Sequence, residues 1–197
     1  MFNYDSKEVN KNIEQVWEQY TSEDFNNGKM WYREANQFSL EVAEKFQVTP
    51  VVSAGVLSAL SPLKEWELNK RITENFFTLM HKDAVNGWKR VGHWLTQKKK
   101  AWDIYTQNPI PEQVSKILGG LKTVNFFGCI NNPSDTESLC VDRHMIKIAT
   151  QSDNAKITKK QYLFLKQEYL NFANRVDMIP SHAQAILWVT HKRIKNI

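Results

Sequence analysis

"ILGGLKTVNFFGCINNPSDTESLCVDRHMIKIA", residues 117–149, is the stretch on which the reading of this chain turns. An apolar helical pattern runs up to Leu118, stops at Gly119 and Gly120, and resumes as "LKTVNFFGCI". Two glycines between helical patterns make a tight turn, and they allow a ligand to approach the backbone because no side chain intervenes. The N–H groups at the start of the following helix, together with its dipole, can hold an anion. A phosphate held there positions a duplex without reading its sequence. Lys122 and Thr123 lie at that helix start. The segment "NNPSDTES" reads as a loop, and Asp142 then opens another helical pattern with Arg143 and His144. Asp142 suits a helix N-cap, and it also suits a carboxylate fixed in place for chemistry.

Outward from this stretch the periodicity is helical almost throughout, so the expected fold class is all-α. Ile13, Val16, Trp17 and Tyr20 recur at helical spacing, as do Phe38, Val42, Ala43 and Phe46. "TPVVSAGVLSALSP" reads as a buried helix capped by Thr49, with Pro50 at its first position and Pro62 ending it. "KEWELNKRITENFFTLM" gives the next helix, and "GWKRVGHWLTQKKKAWDIYTQ" reads as one long basic and aromatic helix broken by "NPIPEQ". Short helices are expected over residues 111–118 and 123–130, and further ones over 142–150, 158–175 and 180–194. No strand-like alternation, internal repeat or low-complexity tract is evident.

The 197 residues fit one compact helical unit or two packed helical halves with an active-site cleft between them. A chain of this size buries roughly 70% of its unfolded surface, so it needs no staple. Two cysteines, Cys129 and Cys140, are too few for a four-cysteine iron–sulfur or zinc site and read as reduced thiols of a cytoplasmic protein. No pair of histidines has zinc-ligand spacing with a third ligand, so no metal and no cofactor are expected in the chemistry. Residues 1–12 are polar and mixed in charge, unlike a secretory leader, and no apolar run approaches the ~20 residues of a membrane span. Lys and Arg number 26 against 21 Asp and Glu, a formal charge of +5 that permits a polyanionic partner. The excess is concentrated: "KDAVNGWKRVGHWLTQKKK", residues 82–100, holds six basic residues and one acid, and the C-terminal "HKRIKNI" is basic too. Seven tryptophans exceed what a core of this size requires, so some are expected to meet flat partners.

The hairpin and the aspartate together resemble the helix–hairpin–helix DNA glycosylase superfamily, whose members carry a Gly-rich hairpin followed, roughly twenty residues later, by V-D-T-H. Here "ILGGLKTVNFF" is followed by "CVDRHMIKIA". Lys122 falls on the position of the Schiff-base lysine of bifunctional members and Asp142 on that of the catalytic aspartate. Arg143 replaces the usual threonine. Upstream, "VLSALSPLKEWELNK" resembles the segment that faces the flipped base: Leu57, Ser58, Ala59, Asn69 and Lys70 match if two residues are inserted, with Leu60 where glutamine often stands. The hairpin is one residue shorter than usual and lacks its proline, and the terminal iron–sulfur cysteines of some members are missing. "WYREAN", "AGVLSALSPLKEWELNK", "GLKTVNFFGCI", "VDRHMIKIA" and "PSHAQAILWVTHKR" together resemble a phage-related branch associated with hypermodified bases. That branch includes enzymes of thymine hypermodification and relatives that excise glucosylated hydroxymethylcytosine in anti-phage defence.

The resemblance implies a helix–hairpin–helix glycosylase-like fold and a partner in double-stranded DNA with modified bases, with no obligate protein partner. Breaking an N-glycosidic bond builds positive charge on the sugar, and a carboxylate near C1′ stabilises it; Asp142 is the candidate. Lys122 is the candidate nucleophile, or alternatively a phosphate contact. Gly119, Gly120, Thr123, Arg143 and His144 are the expected DNA contacts. The target base must be flipped out of the stack. Trp31 and Tyr32, with Ser61, Lys64, Trp66 and Asn69 on the loop, are candidate pocket walls, and Asn36, Lys64 and Asn69 could bond a polar substituent. The plainer reading of Trp31, Tyr32 and Trp66 is core packing, and that of His182 and Gln184 is capping. The expected activity is excision of glucosylated hydroxymethylcytosine. The alternatives are an enzyme modifying thymine derivatives in DNA and a non-catalytic DNA-binding module.

Overall fold

The computed structural model describes residues 5–153 and 156–196, and among these it contains ten α-helices, one 3₁₀ turn and no strand. The helices are α1 Ser6–Trp17, α2 Ser22–Phe46, α3 Pro50–Ala59, α4 Trp66–Lys82, α5 Leu95–Gln107, α6 Pro111–Leu118, α7 Leu121–Asn131, α8 Arg143–Thr150, α9 Lys159–Arg175 and α10 Pro180–Lys195. Among the described residues no helix is long and apolar enough to cross a membrane. Local signals set most boundaries. Thr49 Oγ1 accepts from Val52 N at 3.3 Å and Pro50 occupies the first turn of α3, while Thr158 and Gln161 form a reciprocal capping box at α9. Asn108 closes α5 in the left-handed region, at φ 44°.

The stretch expected as one long helix over residues 87–107 is instead two pieces. A 3₁₀ turn, Gly87–Arg90, is followed by four non-helical residues before α5. Trp88 and Trp102 show why. A continuous helix would hold them about 21 Å apart, yet their ring centroids lie 5.7 Å from each other. Folding back packs the two indoles together and buries Val91, while His93 Nε2 bonds Leu60 O at 3.1 Å. Side-chain burial outweighs the helical propensity of the interval.

The chain divides into two compact units, Met1–Glu34 with Asn132–Ile197, and Ala35–Asn131. In the first unit α1 packs on α8, α9 and α10, and α10 packs on α8 and α9. Ile13, Leu165, Phe172, Ile186 and Leu187 form its apolar interior. Buried polar groups cross-tie it: Tyr169 Oη donates to Met145 O at 2.6 Å, Asn12 Nδ2 to Ala149 O at 3.0 Å, and Tyr32 Oη to Gln184 Oε1 at 2.9 Å. Asp24, almost fully buried, pairs with Arg193 Nε at 2.8 Å. Gly28 on α2 lets the α10 backbone come close, since a Cβ there would stand 2.5 Å from Ile186 Cα.

In the second unit α3 is the centre. Every residue from Val52 to Ala59 is buried, as befits a helix apolar all round. It packs on α4, α5, α6 and α7, with Phe76, Phe77, Ile104, Val114 and Ile130 around it. Asn36 Nδ2 donates to Ile130 O at 2.8 Å, which ties the second half of α2 to the end of α7.

Candidate functional site

The α6–α7 connection is a two-glycine turn. Gly119 caps α6 at φ +67°, donating to Ser115 O at 3.0 Å, and Gly120 donates to Leu118 O at 2.8 Å. Gly119 takes a conformation that costs a residue with Cβ roughly 1–2 kcal/mol. Gly120 accepts from Val124 N at 2.9 Å and so opens α7, to whose first N–H groups it offers no side-chain oxygen. Both glycines are exposed, Lys122 is exposed one residue into α7, and Thr123 is half-buried. Lys100 of α5 donates from Nζ to Leu118 O at 2.6 Å, which fixes an ammonium group beside the turn. The basic run of α5 thereby reaches the glycines, and Lys116 adds a further exposed cation on α6.

The same unit holds Asn36, Ser61, Lys64, Trp66 and Asn69. Ser61 Oγ donates to Ser58 O at 2.9 Å and Lys64 N donates to Ser61 O at 3.1 Å, which folds the α3–α4 connection into a turn. Leu63 at its tip has φ 58° and is 72% exposed. Asn69 is buried: its Nδ2 donates to Leu57 O at 3.3 Å, while its Oδ1 finds no partner. Trp66 packs edge-on to Phe38 at 6.1 Å, and the Lys70 ammonium lies 5.7 Å from both rings. Lys64 faces His93, whose imidazole is held below its ordinary value first by burial and then by that lysine.

Asp142, Arg143, His144, Trp31 and Tyr32 belong to the first unit. Asp142 is the N-cap of α8: its Oδ1 accepts from His144 N at 2.9 Å and from Met145 N at 3.0 Å. The carboxylate is half-buried, and among the described residues its Oδ2 accepts no hydrogen bond. Cap and reactive group are therefore compatible in one side chain, because the two oxygens are distinguished. Tyr169, fully buried, has its phenol pushed well above 10.0 by burial and by the Asp142 charge.

His144 stands at the near end of a row of rings. Its imidazole lies 6.0 Å from Trp188 and 5.8 Å from His191, and Trp188 lies 6.0 Å from Trp31, which meets Tyr32 edge-on at 4.7 Å. Lys192 places its ammonium 4.6 Å from the Trp188 centroid. His144 Nδ1 is buried without a partner, and Arg143 Nε approaches Nε2 at 3.4 Å. Burial holds His144 below 6.5; Asp142 opposes this, and Arg143, Lys192 and Lys147 reinforce it. His191 is lowered too, by burial and by His144. Tyr32 is a buried structural tyrosine bonded to Gln184, whereas Trp31 is half-buried. Trp188, His191 and Lys192 lie in the "PSHAQAILWVTHKR" stretch, where the sequence assigns them no individual role, and their nearness to His144 comes from the packing of α10 on α8. Lys100 was legible only as one of a basic run. Among the described residues no three His, Cys, Asp or Glu side chains form a group that could hold a metal ion.

Comparison with known proteins gives one family. A family model described as "Family of unknown function (DUF7178)" matches residues 3–195. Neither the curated proteins nor the solved structures contain a match.

Proposed function

The chain belongs to this family of unknown function, and we propose that it acts as a DNA glycosylase for a modified base. The observation that supports this most is the state of Asp142, half-buried and fixed by two backbone bonds to one carboxylate oxygen while the other accepts none among the described residues. A preorganised carboxylate of this kind lowers the barrier wherever positive charge develops, and the sugar of a departing base is such a place. In the proposed reaction the C1′–N bond breaks and its electron pair leaves with the base. The oxygen of a water molecule forms the new bond at C1′, and the water's proton passes to Asp142 or to solvent. The α6–α7 turn is read as a helix–hairpin–helix phosphate grip, in which Gly119 and Gly120, having no side chains, leave the N-terminal end of α7 open to a phosphate and Lys100, Lys116 and Lys122 supply the cations. Lys122, exposed at the opening of α7, fits a phosphate contact, and the proposed enzyme is monofunctional.

The proposed substrate class rests on the α3–α4 connection and the start of α4. Lys64 lies on that connection and Trp66 opens α4 directly after it, while Asn69, expected on the loop, lies on the first turn of α4 and is buried, its Oδ1 without a partner among the described residues. Such groups suit a sugar carried on the base, because an aromatic face packs on the ring and amide or ammonium groups bond the hydroxyls. A site built for those bonds discriminates strongly against a base that lacks them. Glucosylated hydroxymethylcytosine in phage DNA is the proposed substrate, and defence against phage the proposed role. The test is release of free base and abasic sites from matched phage DNA made with and without glucosyltransferase. Cleavage of the glucosylated DNA alone is expected. Equal cleavage of both rejects the specificity, and an altered base still attached to the strand rejects the glycosylase.

A further inference from the structure

We propose that Trp94 is a stacking platform for an unpaired nucleotide of a DNA strand, set into the basic stretch of residues 82–100. Trp94 is 56% exposed, and its neighbour Leu95 is 65% exposed. Leaving an indole in water forgoes the burial that makes tryptophan valuable to a core, so the fold does not account for it. Trp88 of the same stretch and Trp102 just beyond it behave differently. Trp88 and Trp102 are half-buried and pack against each other at a tilt of 34°, with the ammonium groups of Lys89 and Lys99 5.9 and 5.6 Å from the respective rings.

The exposed indole is nevertheless held. Trp94 N donates to His93 Nδ1 at 2.7 Å, and His93 Nε2 lies 3.1 Å from Leu60 O at the end of α3. The two bonds together require the proton on Nε2, so one imidazole pins the Trp94 backbone to the buried central helix. The His93 ring also meets the indole edge-on, at 5.7 Å and 79°. Trp94 O accepts from Gln97 N and Lys98 N at 3.1 Å and so anchors the start of α5. A rigid aromatic group presented to solvent binds a flat partner with little ordering cost.

Charge selects the partner. The stretch holds Lys82, Lys89, Arg90, Lys98, Lys99 and Lys100 against Asp83 alone. Lys98 lies in the first turn of α5, its N–H donating to Trp94 O and its Nζ to Lys89 O at 2.6 Å. Burial and then the Lys64 charge hold the His93 imidazole below its ordinary value. An exposed indole set in a basic stretch suits a base on its π-face with the strand's phosphates among the cations, and every base offers such a face. The platform is independent of the excision chemistry, since none of these residues contributes to the Asp142 cap.

The experiment measures binding of a single-stranded oligodeoxynucleotide carrying 2-aminopurine. Wild type should quench the probe on binding. Trp94→Ala should weaken affinity roughly 5- to 100-fold and abolish the quench, the scale expected for loss of one base–aromatic stack. Trp94→Phe should keep affinity within about threefold. Melting temperatures of both variants should match wild type, and Asp142→Asn should bind the probe normally even if it excises nothing. Unchanged affinity in Trp94→Ala overturns the proposal, as does an equal loss in Trp94→Phe. An equal loss of heparin binding in Trp94→Ala would make the contact one of charge and overturn it too. A wild-type dimer that Trp94→Ala converts to monomer would assign the patch to self-association instead.

Discussion

Replacing Asp142 separates its capping role from its proposed chemistry. Asp142→Asn keeps an oxygen able to accept from His144 N and Met145 N, now 2.9 and 3.0 Å from Oδ1. Asn and Asp cap helices about equally, so stability should change by less than about 0.5 kcal/mol. Asp142→Ala removes both bonds and should cost about 1 kcal/mol, which for a chain of this size lowers Tm by roughly 2–4 °C. Excision behaves differently. Both variants lose the negative charge, so single-turnover cleavage should fall about 10²-fold or more in each. A cap without chemistry predicts the reverse, namely near-normal activity in Asn and a modest loss in Ala. The assay pairs thermal denaturation with single-turnover release of abasic sites from glucosylated phage DNA. NMR titration of His144 adds a structural check, because removing the Asp142 charge should move that imidazole further below 6.5. Near wild-type excision by a folded Asp142→Asn protein refutes the reasoning.

Three further outcomes are expected. Borohydride should trap no covalent enzyme–DNA adduct with wild type, while Lys122→Ala should weaken duplex binding at low salt and flatten its salt dependence; an adduct that Lys122→Ala cannot form would make the enzyme a lyase. Gly28→Ala should destabilise by about 1–3 kcal/mol, because the new Cβ would meet Ile186 Cα and N at 2.5 Å; chemical denaturation showing a gain of stability, the usual result of Gly→Ala in a helix, would contradict that contact. His93, His144, His182 and His191 are all held below the ordinary imidazole value of 6.5, first by burial. The unfolded chain therefore binds more protons near that pH, so stability is full above 6.5 and is lost as pH falls below it toward the folded values. Tm should be level near pH 7–8 and fall between about pH 6.5 and 5, and a level Tm across the acidic window would count against the burial of these rings.

Both proposed contacts with DNA in the second unit draw on one basic run. Lys100 reaches the glycine turn at Leu118 O, while Lys98 lies one turn from Trp94. Salt dependence alone would not separate them, because each neutralises phosphate. Substitution of Lys100 should weaken duplex binding, and substitution of Trp94 should weaken single-strand binding.

Sequence alone determined the parts of this molecule that are local. Thr49–Pro50, Thr158–Gln161, Asp142 and the Gly119–Gly120 turn mark their helix ends because caps and positive-φ glycines act through atoms within four residues of each other. The all-α class followed from periodicity for the same reason. Residues 87–107 do not form the one long helix that propensity favours, because the packing of Trp88 against Trp102 and the bond from His93 to Leu60 O arise between segments separated along the chain. Only the tertiary structure set Trp188, His191 and Lys192 beside His144, or joined Lys100 to the glycine turn. It also gave Tyr32 to Gln184, and it distinguished the two oxygens of Asp142. Helical spacing says which side chains share a face, but which face meets which neighbour is decided by the volumes that pack between helices, and no short stretch of sequence contains that information.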